Sequence, residues 1–154
     1  GREVFAAVAV DSVSDHGAFA RIVLLKGVDH GFCFYTNHES RKGRELDATH
    51  RAALVFWWPE LERQVRVEGT AELLPRAEVE AYFAQRPRGS QLGAHASAQS
   101  EPVADRSALE AAYAGAERAF EGCDVPPPEH WGGYLVRPQG VDEPPPPTLT
   151  GVIE

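Results

Sequence analysis

Residues 21–42 read RIVLLKGVDHGFCFYTNHESRK. Arg21 and Lys26 bound an apolar run of Ile22, Val23, Leu24 and Leu25. Gly27 to Gly31 reads as a turn. Phe32 and Phe34 then alternate with Cys33 and Tyr35, which is strand periodicity. Ser40 stands where a side-chain oxygen accepts from the free N–H groups of a first helical turn, so a short helix is predicted from Ser40 to about Thr49. The stretch therefore predicts strand, turn, strand, helix, with Val23, Leu24 and Leu25 continuous enough to be buried on both faces. Four cations, Arg21, Lys26, Arg41 and Lys42, border it in a chain of formal charge -8. Free N–H groups at a helix start, flanked by Arg and Lys, hold an anion well, and Ser40 and Thr36 add hydroxyls. A solvated basic turn has the same composition, and spacing alone does not separate the two.

The chain on either side fits one small domain. Glu3 to Val10 is an apolar run read as a strand, and Asp11 to Gly17 reads as a hairpin loop. Arg51 to Trp58 predicts a fourth strand ended by Pro59. Leu61 to Leu74 predicts a fifth, bending near Gly69. Pro75 suits the first turn of a helix whose face carries Val79, Tyr82 and Phe83. A short helix is predicted over Gln91 to Ala98. A longer one is predicted from Ser107, where Ser-Ala-Leu-Glu has the form of a capping box. Its stripe is Leu109, Ala112, Tyr113, Ala116 and Phe120, and Gly122 ends it. Trp131 to Val136 reads as a last strand. Short strands with few helices between them, and helices late in the chain, predict an α+β fold built on an antiparallel barrel. The expected organisation is one barrel domain over 1–137 and a proline-rich tail over 138–154, where Pro144 to Pro147 cannot pair in a sheet.

Composition narrows the chemistry. The 154 residues are 43% hydrophobic, enough for one core. The acidic balance argues against nucleic acid as partner, because affinity for a phosphate backbone needs a basic face. No run approaches a membrane span and no signal peptide is visible, so a cytoplasmic protein without membrane contact is expected. Cys33 and Cys123 read as free thiols in a reducing compartment. The six histidines show no metal-ligand spacing, so no metal is expected. No nucleophile motif, phosphate-binding loop or dinucleotide fingerprint occurs. No residue is singled out as catalytic acid, base or nucleophile, and any chemistry falls to a cofactor.

A second polar group lies in Tyr-Phe-Ala-Gln-Arg-Pro-Arg-Gly-Ser-Gln. Tyr82 and Arg86 are four apart and share a helix face, Pro87 turns the chain, and Arg88 and Ser90 follow. They suit a second phosphate pocket. Cations completing a helix dipole would look the same. Gln64 on its strand pairs a donor with an acceptor for the edge of a flat heterocycle, or is simply a surface residue. Gln99 and Ser100 are uninformative alone. Trp57, Trp58 and Trp131 read as core.

Six segments occur in order: Arg-Ile-Val-Leu-Leu-Lys, Phe-Tyr-Thr-Asn-x-x-Ser-Arg-Lys, Leu-Glu-Arg-Gln-Val-Arg-Val-x-Gly, Tyr-Phe-x-x-Arg-Pro-Arg-x-Ser-Gln-x-Gly-Ala, Ala-Ser-x-Gln-Ser and Trp-Gly-Gly-Tyr. Over about Ala7 to Val136 the chain resembles the pyridoxamine/pyridoxine 5'-phosphate oxidases, with the phenazine-biosynthesis oxidases as cousins. The resemblance implies a split β-barrel homodimer with FMN at the subunit interface. It implies FMN contacts from Arg21, Ile22, Val23, Leu24, Leu25, Lys26, Tyr35, Thr36, Arg41, Lys42, Gln64, Gln99 and Ser100. It implies substrate-phosphate contacts from Lys26, Tyr82, Arg86 and Ser90. The activity implied is hydride transfer from a small aromatic or phosphorylated substrate to the flavin, with O2 as acceptor. A phenazine-type oxidase and a non-catalytic FMN- or pyridoxal-phosphate-binding protein are the alternatives. After Trp-Gly-Gly-Tyr the resemblance stops. Where the family has a Phe-Trp-Gln-Gly strand and an Arg-x-His-x-Arg segment, this sequence reads Val-Arg-Pro-Gln-Gly-Val-Asp-Glu-Pro-Pro-Pro-Pro.

Overall fold

The computed structural model describes residues 5–10, 19–28, 30–61 and 63–139. The predicted hairpin loop and the tail beyond Gln139 lie outside them. Strands β1 (Phe5–Val10), β2 (Phe19–Gly27) and β3 (Phe32–Asn37) come first. Helix α1 (Arg41–Thr49), β4 (Arg51–Trp58), a single 3-10 turn at Pro59–Leu61 and β5 (Arg63–Leu73) follow. Helices α2 (Arg76–Ala84), α3 (Arg88–Ala96) and α4 (Arg106–Ala119) precede the last strand, β6 (Trp131–Pro138). Among the described residues the strands close into a barrel in the order β1-β2-β3-β6-β5-β4. The chain forms two compact units.

The first unit takes its described residues from 1–35, 45–73 and from 134 onward. Its core is Phe34, Leu46, Ala52, Leu54, Phe56, Ala71, Tyr134 and Val136, with Val23, Leu25, Phe32, Trp58, Val65 and Val67 packed against it. The alternation of β4 explains the pattern. Ala52, Leu54 and Phe56 point inward and are buried, while Arg51 and Trp57 are exposed. Burial of each large side chain contributes roughly 1.5–3 kcal/mol. Tyr134 donates its hydroxyl to Asp47 Oδ1 at 2.7 Å, so this buried ring keeps a polar partner. Gly69 is fixed by close approach. A Cβ there would lie 1.9 Å from the carbonyl oxygen of Arg137 on β6.

One expectation fails in β2. Its run is not buried on both faces. Val23 and Leu25 are half-buried, whereas Ile22 is 72% and Leu24 38% exposed. The strand is one wall of a barrel, so alternate residues must face outward. Pairing then sets Ile22 beside Ala7 and Ala7 beside Val55, and Trp57 on the same strand as Val55 is 52% exposed.

The second unit comprises 36–44 and 74–133. Val79 and Phe83 of α2, Leu92 of α3, Val125 and Trp131 are its buried apolar residues. Arg76 braces the polyproline connector, donating to the carbonyls of Pro127 (2.7 Å), Pro128 (3.2 Å) and Trp131 (3.0 Å). Two helix starts differ from expectation. Helix α3 begins three residues early, because Pro87 with φ -53° occupies the N-cap and enters the helix with its dihedral already set. Helix α4 is capped by Asp105, whose carboxylate accepts from Ala108 N–H at 2.8 Å and from Ser107 Oγ at 2.8 Å. Ser107 is therefore inside the helix and supports the cap. The Asp105 carboxyl is held below its usual range chiefly by the Ala108 N–H bond. Glu110, the supposed box partner, pairs with Arg106. Of the predicted α4 stripe, Tyr113, Ala116 and Phe120 are half-buried, while Leu109 and Ala112 face solvent.

Candidate functional site

Ser40 caps α1 as the sequence predicts. Its Oγ accepts from Gly43 N–H at 3.2 Å and donates to the Asn37 carbonyl at 2.6 Å. Around this cap lies a knot of polar side chains. Lys42 is 3% exposed. Its Nζ donates to Thr36 Oγ1, to Ser40 Oγ at 3.4 Å and to Gln99 Oε1 at 3.4 Å. Thr36 donates to Gln99 Oε1 at 3.0 Å. Thr36 and Lys42 from one predicted segment and Gln99 from another thus meet through direct hydrogen bonds. Thr36, Ser40 and Gln99 give the buried ammonium three side-chain oxygens as hydrogen-bond acceptors. Arg41, next in the same turn, is half-buried.

Gln99 and Ser100 sit in a turn closed by Glu101 N–H on the Ala98 carbonyl at 3.1 Å. Ser100 has φ +72°, a conformation that favours glycine and that side chains adopt at a cost. Arg44 of α1 pairs with Glu101 at 3.6 Å, tying this turn to the helix carrying Lys42. That bridge was not foreseen; the two residues lie far apart in sequence and neither belongs to a motif.

The second predicted cluster divides. Tyr82 and Arg86 meet at Trp131. The Tyr82 ring lies parallel to the indole at 6.2 Å, and the Arg86 guanidinium carbon is 4.8 Å from its centroid. Burial lowers the Arg86 pKa, opposed by the nearby Tyr82. Its Nη1 is buried with no hydrogen-bond partner. Ser90 is exposed in the first turn of α3. Arg88 goes elsewhere, donating to the carbonyls of Phe120 (2.5 Å) and Cys123 (2.9 Å) past the end of α4. Trp131 was read only as core; its stacking on Arg86 is the signal the sequence did not carry.

In the barrel unit, Arg21 shares the inward-facing parity of Val23 and Leu25. Its guanidinium lies 5.7 Å from the Phe19 ring, and its Nε is buried without a partner. Lys26 is exposed, at the point where the β2–β3 register shifts between Leu25 and Gly27. Tyr35 is half-buried on β3, and Gln64 is half-buried on β5 opposite Trp57 of β4. Buried donors are almost always satisfied, and among the described residues Arg21 Nε and Arg86 Nη1 have no acceptor, so each has room for one more. Guanidinium, ammonium and hydroxyl donors of this kind suit a phosphate.

Six antiparallel strands closed into a barrel, with cations at the ends of β2 and the start of α1, define a split-barrel protein. The profile described as pyridoxamine 5'-phosphate oxidase matches residues 7–118. A pyridoxine/pyridoxamine 5'-phosphate oxidase from Rubrobacter xylanophilus is 56% identical over 138 residues, 89% of this chain and 64% of that one. One from a Nocardioides species is 60% identical over 124 residues, 80% of this chain and 58% of that one. Among solved structures, PhzG from Burkholderia lata, crystallised with tetrahydrophenazine-1-carboxylic acid, superposes with a TM-score of 0.79 at 31% identity, covering 86% of this chain and 65% of that one. The chain belongs to the pyridoxamine 5'-phosphate oxidase family. It spans less than two thirds of the length of these relatives. Among the described residues no helix is long and apolar enough to cross a membrane.

Proposed function

We propose that this protein is an FMN-dependent oxidase of a small aromatic phosphate ester of the pyridoxine/pyridoxamine 5'-phosphate kind, passing electrons on to O2 and acting as a homodimer in the cytoplasm. The observation that carries the reading is the pair of buried guanidinium donors without partners, Arg21 Nε and Arg86 Nη1. They fall one in each group of residues that the family assigns to a phosphate. FMN would be held by Arg21, Ile22, Val23, Leu24, Leu25, Lys26, Tyr35, Thr36, Arg41, Lys42, Gln64, Gln99 and Ser100. Lys26, Tyr82, Arg86 and Ser90 would hold the substrate phosphate. Bound FMN supplies the hydride acceptor. The chain's own contribution is placement: cations fix both phosphates, and binding energy from those remote groups holds the donor carbon at near-contact distance. The exposed Ile22, Leu24 and Trp57 support the dimer, since a second copy would cover them.

Likeness to PhzG favours a second reading, a tricyclic substrate of the tetrahydrophenazine class. One experiment decides. The FMN-reconstituted protein should absorb near ~450 nm. Under anaerobic conditions pyridoxine 5'-phosphate should bleach that band, and air should restore it with release of hydrogen peroxide. Bleaching by a reduced phenazine carboxylate alone moves the assignment to the second reading. A yellow protein bleached by neither is a flavin binder without this activity, and a protein that takes up no FMN refutes the proposal.

A further inference from the structure

We infer that Trp131 is a positioning residue for the substrate's anionic group, its indole face holding the Arg86 guanidinium in one plane so that a buried N–H stays directed at the anion. The inference rests on the assignment of Arg86 to the substrate phosphate made above. Arg86 follows α2 and is anchored through its backbone N–H to the Phe83 carbonyl at 3.1 Å. Its guanidinium carbon lies 5.4 Å from the Phe83 ring and 4.8 Å from that of Trp131. Those rings meet edge to face at 4.7 Å and 71°, so the cation is bounded by two aromatic surfaces set nearly at right angles. The second face pairing of the indole, with Tyr82 at an interplanar angle of 3°, aligns another residue of the same proposed pocket on the same plane.

Trp131 is itself rigidly held. It is 7% exposed. Its N–H donates to the Pro128 carbonyl at 3.1 Å, and its own carbonyl accepts from Arg76 at 3.0 Å. Among the described residues no carboxylate pairs with Arg86. That difference matters chemically. A carboxylate would orient the guanidinium but neutralise it, and it would compete with any incoming phosphate. An aromatic face orients the same cation through its quadrupole and leaves the charge and the N–H groups available. The orphaned Nη1 is what such an arrangement leaves behind.

The test uses the FMN-loaded protein and two unreactive probes, 4-deoxypyridoxine 5'-phosphate and 4-deoxypyridoxine, titrated calorimetrically. Trp131→Leu should raise Kd for the phosphorylated probe about 3- to 30-fold, the range of a cation–π contact, and leave the unphosphorylated probe unchanged. Trp131→Phe, which restores a ring, should recover most of the loss. In an Arg86→Ala background Trp131→Leu should add nothing. Equal weakening of both probes, or full additivity with Arg86→Ala, would overturn the inference and leave Trp131 a packing residue. Phosphate binding unaffected by Arg86→Ala would instead remove the assignment on which the inference stands. Should Trp131→Leu not fold, Trp131→Met, which also removes the ring but adapts its shape to the space left, goes through the same cycle, with the same directions expected and the same outcomes decisive.

Discussion

Replacing Tyr134 by phenylalanine removes one oxygen from a buried ring of the barrel core, and its effect on stability should depend on pH in a defined way. The hydroxyl donates to Asp47 at 2.7 Å, and the ring is 1% exposed. Hydrogen bonds to charged acceptors contribute about 1.5–3 kcal/mol. Asp47 is exposed and regains water when its partner is lost, so the low end applies, about 1.5 kcal/mol at pH 8. Burial first, then the bond to Asp47 and its charge, push the Tyr134 pKa far above its usual value near 10. The raised folded-state pKa means the native state keeps the phenolic proton while the unfolded chain releases it. The stabilisation is therefore complete below about pH 10 and declines above it by about 1.4 kcal/mol per pH unit.

Phenylalanine has no such proton. The gap between wild type and Tyr134→Phe should shrink from about 1.5 kcal/mol at pH 8 to near zero at about pH 11. Urea denaturation of both proteins at several pH values between these limits measures it; tyrosines common to both cancel in the difference. A gap that stays constant up to pH 11 would show that Tyr134 ionises as readily in the folded protein as in the unfolded one, and would refute the argument.

Three further outcomes test other parts of the structure. Arg41→Ala should weaken FMN binding by about 1.5–3 kcal/mol, roughly 12- to 150-fold in Kd; an unchanged fluorescence titration removes Arg41 from the proposed site. Gly132→Ala would bring a Cβ within 1.9 Å of His38 Nε2, and Gly69→Ala would bring one equally close to the Arg137 backbone oxygen. Each should cost about 1–3 kcal/mol or more, but adding His38→Ala should restore most of the stability of Gly132→Ala and nothing of Gly69→Ala, as melting temperatures will show. Asp105→Ala should lower the melting temperature more than Ser107→Ala, because Asp105 accepts the Ala108 N–H that caps α4; equal effects would return the cap to Ser107.

The fold was legible where one force decides local structure. The alternation of β4, the Ser40 cap of α1 and the stop at Pro59 each follow from a single residue type or period, and each stands where the sequence placed it. The misreadings occur where two forces compete. Ile22-Val23-Leu24-Leu25 looks fully buried because an apolar run does not reveal whether its outward half awaits another surface. At α4, Asp105 and Ser107 are both good caps; the serine was chosen for the glutamate three residues on, but Arg106 takes that glutamate. At α3, Arg88-Gly89-Ser90 has weak helix propensity, which hid a start that the preceding proline sets.

The candidate site was legible only as separate fragments. Thr36 and Gln99 are 63 positions apart, yet Lys42 binds both; nothing in periodicity or spacing joins them, and family resemblance alone put them on one ligand. The converse holds for Arg86 and Arg88. They stand two apart in one motif, equally basic, and composition cannot rank them. The structure gives Arg88 to the backbone carbonyls of Phe120 and Cys123 and leaves Arg86 with a buried donor unmatched. A guanidinium whose donors are consumed by carbonyls is a structural brace. One bordered by aromatic faces keeps its charge, as the proposed phosphate site needs, and this separates the two arginines.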